Sequence, residues 1–96
     1  MTYKQLIDSI KIVAKYNGGL DAKVLQMWAE HDEHGIYLNK TPSAGDLRTL
    51  ALYGWGLGCD AGYAEDDREL WENADSLSDE EIVELFKNYN SIYLVE

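Results

Sequence analysis

Between Asp60 and Glu84 the chain places eleven carboxylates, Asp60, Glu65, Asp66, Asp67, Glu69, Glu72, Asp75, Asp79, Glu80, Glu81 and Glu84, against one base, Arg68. Carboxylates at this density can chelate a cation, work as an acid and base pair, or face a basic partner. An EF-hand needs acids at alternate positions, then a glycine, then a distant glutamate, and the run from Asp60 through Gly62 to Glu69 does not keep that order. Pairing for hydrolysis is equally unspecific, because in so acidic a stretch almost any two carboxylates have suitable spacing. The remaining chemistry is a docking surface. Tyr63 and Trp71 lie among the acids, and charge speeds an encounter while buried aromatics slow dissociation. Asp60, Tyr63, Glu65, Asp66, Asp67, Glu69, Trp71 and Glu72 are therefore the candidate partner-binding residues, with the two aromatics as anchors. The competing reading is a solvated face that keeps the protein in solution.

Other chemistry-bearing residues are sparse. His31, His34, Cys59 and Asp60 offer nitrogen, sulfur and oxygen ligands, but a zinc site calls for a second closely spaced pair that the sequence lacks. No metal and no cofactor is expected, and the histidines read as surface residues of a turn. A nucleophilic Cys59 would need a positive neighbourhood to lower its pKa, and the acids that follow work against that. Gly54, Gly56 and Gly58 alternate, yet neither a P-loop lysine nor the dinucleotide spacing accompanies them. They read as sites of close backbone packing.

The 96 residues amount to one domain with a modest core. At 46% hydrophobic residues the chain is too apolar to be disordered, despite a net charge of −10. That charge is unevenly spread. Residues 1–59 hold six acids and six bases, whereas residues 60–96 hold twelve acids and two bases. Clustering at one end favours a directed field over general solubility. It also argues against direct binding to nucleic acid or anionic lipid, both of which would repel it. A basic protein is the natural complement. One cysteine permits no internal disulfide, and the first thirty residues lack the apolar run of a secretory leader, so the expected location is the cytoplasm. A monomer or small homo-oligomer is expected.

The elements that must carry these residues follow from periodicity and caps. Thr2 caps a helix over 3–16, with Leu6, Ile7, Ile10, Val13 and Ala14 as its apolar face and Asn17-Gly18-Gly19 as its stop. Residues 22–31 satisfy either a helix or a strand. The alternation from Val24 to His31 and the β-prone Ile36-Tyr37-Leu38 favour a hairpin, strands 23–31 and 35–39, turning at Asp32-Glu33-His34-Gly35. Pro42 in a first turn and Ser43 three residues before Asp46 open a helix over 43–53, which Gly54 ends. Trp55 to Cys59 reads as a strand with apolar side chains on one face and bare glycines on the other. Residues 60–77 form an acidic loop with a short helix or strand near Arg68 to Trp71, ordered by Leu70 and Trp71 packing inward. Ser78 and Glu81 make a capping box for a helix to about Asn88, and Ile92 to Val95 completes the sheet.

The run Ala29-Glu30-His31-Asp32-Glu33-His34-Gly35-Ile36-Tyr37-Leu38, then an acid-started helix and Leu52-Tyr53-Gly54-Trp55, resembles small uncharacterised proteins of bacteriophages and other mobile elements. The resemblance covers roughly residues 3–56, with His34 and Gly35 as two extra turn residues and no counterpart to the segment after Asp60. It implies an accessory protein with helix–strand–strand–helix order, of a kind that includes antagonists of host defence. The expected fold is α+β, with three to four short antiparallel strands packed against about three helices. The expected role is a non-enzymatic protein-binding module. Duplex DNA carries about one negative charge per 1.7 Å of axis, so a ridge of carboxylates can occupy the nucleic-acid groove of a restriction, CRISPR or repair protein. A structural or oligomeric accessory protein is the alternative, and a small metal-dependent enzyme using His31, His34 and Cys59 is a third.

Overall fold

A computed structural model describes residues 1–23, 27–30, 33–58 and 65–94, with the backbone alone at 27–30, 33 and 65. Among these residues are four α-helices and a four-stranded antiparallel sheet, an α+β fold. Helix α1 spans Tyr3–Tyr16, β1 Met27–Glu30, β2 Glu33–Tyr37, α2 Ala44–Leu52, β3 Gly56–Leu57, α3 Glu65–Glu72, α4 Asp79–Lys87 and β4 Ser91–Leu94. The sheet order is β1-β2-β4-β3, so the last strand enters between the second and third. Among the described residues no helix is long and apolar enough to cross a membrane.

Helix starts follow the caps. Thr2 and Gln5 form a full capping box, as do Ser78 and Glu81, and Ser43 accepts the amide hydrogen of Asp46. Pro42 is not in the first turn of α2 but ahead of its cap, where it is fully buried. At the other end of α2, Gly54 takes φ 98°. The Gly54 amide then donates to Ala51 O and the Trp55 amide to Leu50 O, a Schellman closure that delivers Trp55 straight from the helix into the core.

The hairpin turns earlier than the sequence pattern suggests. Glu30 pairs with Glu33, and His34 and Gly35 are strand residues, not turn residues. Gly35 faces Trp28 on one side and Tyr93 on the other, buried between β1 and β4. The sheet's central pairing thus overrides glycine's preference for turns. Strand β1 begins at Met27, and Lys23 lies outside it; residues 24–26 and 31–32 lie outside the described residues.

Phe86, Leu47, Leu50, Leu57, Ile82 and Ile92 are the largest fully buried apolar side chains. Each contributes roughly 1.5–3 kcal/mol by leaving water. Helices α2, α3 and α4 pack on one another, and α3 also touches β3. The α1 face is rotated from the one its aliphatic residues suggest. Ser9 and Val13 are buried and Leu6, Ile12 and Tyr16 pack against the core, while Ile7 and Ile10 are exposed. Ser9 is tolerated inside because its hydroxyl donates to Gln5 O at 2.6 Å. The bare face of the glycine segment is covered by aromatic rings. A Cβ on Gly56 would lie 2.2 Å from the Tyr93 ring, and one on Gly58 2.7 Å from Tyr89.

Candidate functional site

The acidic segment is helical from Glu65 to Glu72, and its orientation is set by Trp71. That side chain is 3% exposed, and its Nε1–H donates to Trp55 O at 2.7 Å. Trp71 is therefore a core residue joining α3 to the end of α2, not a surface anchor. The expectation that it meets a partner is corrected by its burial. Asp67 and Arg68 flank it, half-buried. Tyr89 Oη donates to Asp67 Oδ2 at 2.5 Å, so Asp67 ties α3 to the segment after α4.

With one side committed inward, the 3.6-residue period turns Asp66, Glu69, Leu70 and Glu72 to solvent. Leu70, expected to pack inward with Trp71, is instead 43% exposed. It shares a surface depression with Asp66, Glu69, Asn73 and Ser76. Beyond α3, Asn73 Nδ2 donates to Glu69 O, and a 3-10 turn over Ala74–Ser76 buries Ala74 and leads to the Ser78 cap.

Helix α4 carries further exposed acids. Ile82, Leu85 and Phe86 face the core and leave Asp79, Glu80, Glu81 and Glu84 exposed. Asp79, Glu80 and Glu84 border a second depression with Ala44 and Val83. The candidate residues read from the sequence stopped at Glu72 and missed this half, although the Ser78 box and the positions of Ile82 and Phe86 already implied which acids face out. Two of the four have cationic neighbours: Arg48 meets Asp79 at 2.6 Å, and Lys87 meets Glu84 at 3.4 Å. Arg48 also donates to Leu77 O at 2.9 Å, which fixes the approach to α4. Among the described residues, Asp66, Glu69, Glu72 and Glu80 form no ion pair.

The electrostatics suit standing anions. Glu81 is held below the usual carboxylate pKa by the Ser78 backbone N–H and then by its hydroxyl. On α2, burial disfavours the Asp46 anion, but hydrogen bonds from Lys15 and Tyr16 outweigh it and lower the pKa overall. Among the described residues no group of three His, Cys, Asp or Glu side chains is placed to hold a metal ion. His34 is exposed on β2. His31, Cys59, Asp60 and Tyr63, and the side chain of Glu65, lie outside the described residues. Comparison with protein-family models, curated proteins and solved structures gave no match to this chain.

Proposed function

We propose that this protein is a non-enzymatic binding module whose α3 and α4 present a fixed anionic face to a basic protein surface. The observation that carries the reading is the arrangement of α3: Asp66, Glu69 and Glu72 are exposed on a helix whose opposite side is locked by Trp71. Carboxylates on a packed helix keep their spacing, so little ordering entropy opposes binding. Leu70, exposed in the depression that Asp66 and Glu69 also line, supplies an apolar contact in place of Trp71. The groove that such a face fits best is one that otherwise holds nucleic acid, because that groove is already lined with Lys and Arg. An inhibitor from a phage or mobile element, acting on a host nuclease or other nucleic-acid-binding protein, is the role consistent with this geometry.

The test uses native protein beside the triple variant Asp66→Asn, Glu69→Gln, Glu72→Gln. Asp67 is left intact because Tyr89 depends on it. Each is immobilised and exposed to bacterial lysate, and retained proteins are challenged with salt and with duplex DNA. The reading predicts a nucleic-acid-binding protein held by the native form alone, eluted by duplex DNA, and released at ~0.5 M salt as the charges are screened. Identical retention by both forms would defeat it.

A further inference from the structure

Along the outer side of α1, Tyr3, Ile7 and Ile10 are 89%, 53% and 48% exposed. With Ala14 they recur at intervals of four, three and four residues, the spacing that lines one side of a helix as the seam of a helix pair. The core is met by Ser9 and Val13 on another side, so this file is surplus to the fold. Its apolar surface runs on past Ile10 and Ala14 into a cavity of about 280 Å³ between α1, β2 and Trp55, which the exposed Leu20 and Lys23 also border. Single apolar residues on a surface need no explanation, but a continuous file of them marks a contact.

The charges beside the file say what it contacts. One position on from the four apolar residues come Lys4, Asp8, Lys11 and Lys15, so a single edge of the file carries them. Lys15 reaches Asp46 and Asp8 is half-buried, which leaves the exposed Lys4 and Lys11 to set the edge. Neither forms an ion pair among the described residues. An antiparallel pairing of α1 with its own copy would set these lysines edge to edge and be repelled. The complement lies elsewhere on the same chain. On α3, Asp66, Glu69 and the 43%-exposed Leu70 border one depression, an apolar side chain among anions that form no ion pair among the described residues. We propose that α1 docks a second copy of this protein head to tail, its file seating Leu70 while Lys4 and Lys11 face Asp66 and Glu69. The contact joins different patches on the two copies, so it grows into chains or rings and does not close as a symmetric pair. Each copy has a net charge of −10, but at physiological salt that repulsion is confined to a Debye length of ~8 Å, and complementarity at the patch decides. Patches this small make weak contacts, here with a dissociation constant of ~0.1–1 mM. The contact covers acids that are also proposed to meet a basic protein, yet it does not depend on such a protein.

Sedimentation equilibrium of the purified protein should show a mass that rises past the dimer as concentration approaches ~1 mM. Ile7→Asp removes the α1 half of the contact, and Asp66→Asn with Glu69→Gln and Leu70→Asn removes the α3 half, all at exposed positions. Each variant alone should stay monomeric. Mixed in equal amounts they should form a 1:1 pair and stop there, because only the intact α1 of one and the intact α3 of the other remain. With one variant ¹⁵N-labelled at a time, the shifts in that mixture should fall on Lys4, Ile10 and Lys11 of the α3 variant and on Asp66, Glu69 and Leu70 of the α1 variant. Lys4→Glu with Lys11→Glu should weaken native association about tenfold, since two attractions become two repulsions. An unchanged Trp71 indole resonance in every variant reports that the core is intact. The proposal is overturned if the native protein stays monomeric throughout, or if the mixed variants form no complex. A native dimer that survives the α3 substitutions overturns it too, by making α1 a symmetric contact, as does association that the lysine reversal leaves unchanged. No lysate enters these measurements, so their failure is distinct from a failure to capture a basic protein.

Discussion

The flanks of the molecule on either side of the α2–β3 junction treat buried polar groups in opposite ways. On the α3 side, Trp71 gives its indole hydrogen to Trp55 O and Tyr89 gives its hydroxyl to Asp67, so aromatic groups reaching inward are satisfied within the chain. On the α1 side, Trp55 is buried equally deeply and its indole hydrogen has no acceptor among the described residues, while Ile7, Ile10 and Leu20 face solvent. The acidic flank is complete as a scaffold, and its surface is marked by charge with Leu70 exposed beside it. The apolar flank leaves one buried donor without an acceptor among the described residues.

The largest effect should come from removing the residue that orients the acidic flank. Trp71→Ala is expected to destabilise the protein by ~3–5 kcal/mol, measured by urea denaturation, through lost burial and the cavity left behind. Trp71 is the one buried residue among the described side chains of α3, so the same change should abolish partner capture. If stability holds while capture is lost, Trp71 acts at the surface and the contrast between the flanks fails.

A finer comparison removes the indole nitrogen from each flank. Trp71→Phe and Trp55→Phe delete similar volume, so their difference isolates the hydrogen bonds. Trp71→Phe deprives the Trp55 carbonyl of its donor, whereas Trp55→Phe removes a donor that had nothing to lose. Trp71→Phe should therefore be the more destabilising by ~1–3 kcal/mol, read from urea midpoints at constant slope. Equal losses would mean that the Trp55 indole is satisfied in solution.

How far these features were visible in the sequence depends on whether they are local. Thr2, Ser43 and Ser78 announce α1, α2 and α4 because a cap acts within three residues of itself. The close packing expected at Gly56 and Gly58 was legible from the missing side chains, but not the identity of Tyr93 and Tyr89 as the rings that fill the space. Gly35 was misplaced because glycine marks turns by itself and strand interiors only in the company of neighbours such as Tyr93. The acidic density hid most of α3, whose period shows only once Trp71 is known to face inward. Taking Trp71 for an anchor followed the general enrichment of tryptophan at interfaces, which says nothing about one indole with a carbonyl 2.7 Å away. The cavity joins α1, β2 and Trp55, residues far apart in the chain, and no local pattern foretells it.

The smallest predicted effect concerns the polar cluster that closes the α1 side. Tyr16 Oη donates to Asp46 Oδ2 at 2.5 Å and accepts from the Ser43 amide at 3.0 Å, while Lys15 reaches the same carboxylate oxygen at 2.6 Å. These contacts join the C-terminus of α1 to the N-terminus of α2, where the helix dipole also favours an anion. Since the folded protein holds the Asp46 pKa below its ordinary 3.8, its carboxylate contributes stability above that value and loses it as pH falls through the lowered folded pKa. Lys15 has the opposite sense, its raised pKa giving a contribution that fades only as pH climbs past 10.5. The melting temperature of Asp46→Asn should therefore lie below that of the native protein at pH 7, and the gap should close as pH falls below 3.8. Added salt separates the two partners. Lys15 is well exposed, so ~1 M salt should screen its attraction, but the Tyr16 bond is short and partly buried and should persist. Part of the gap should then survive in salt at pH 7 and vanish in a Tyr16→Phe background. If salt alone closes it, exposed charge rather than the tyrosine joins these helices, and the α1 flank, like the acidic one, is governed by its surface electrostatics.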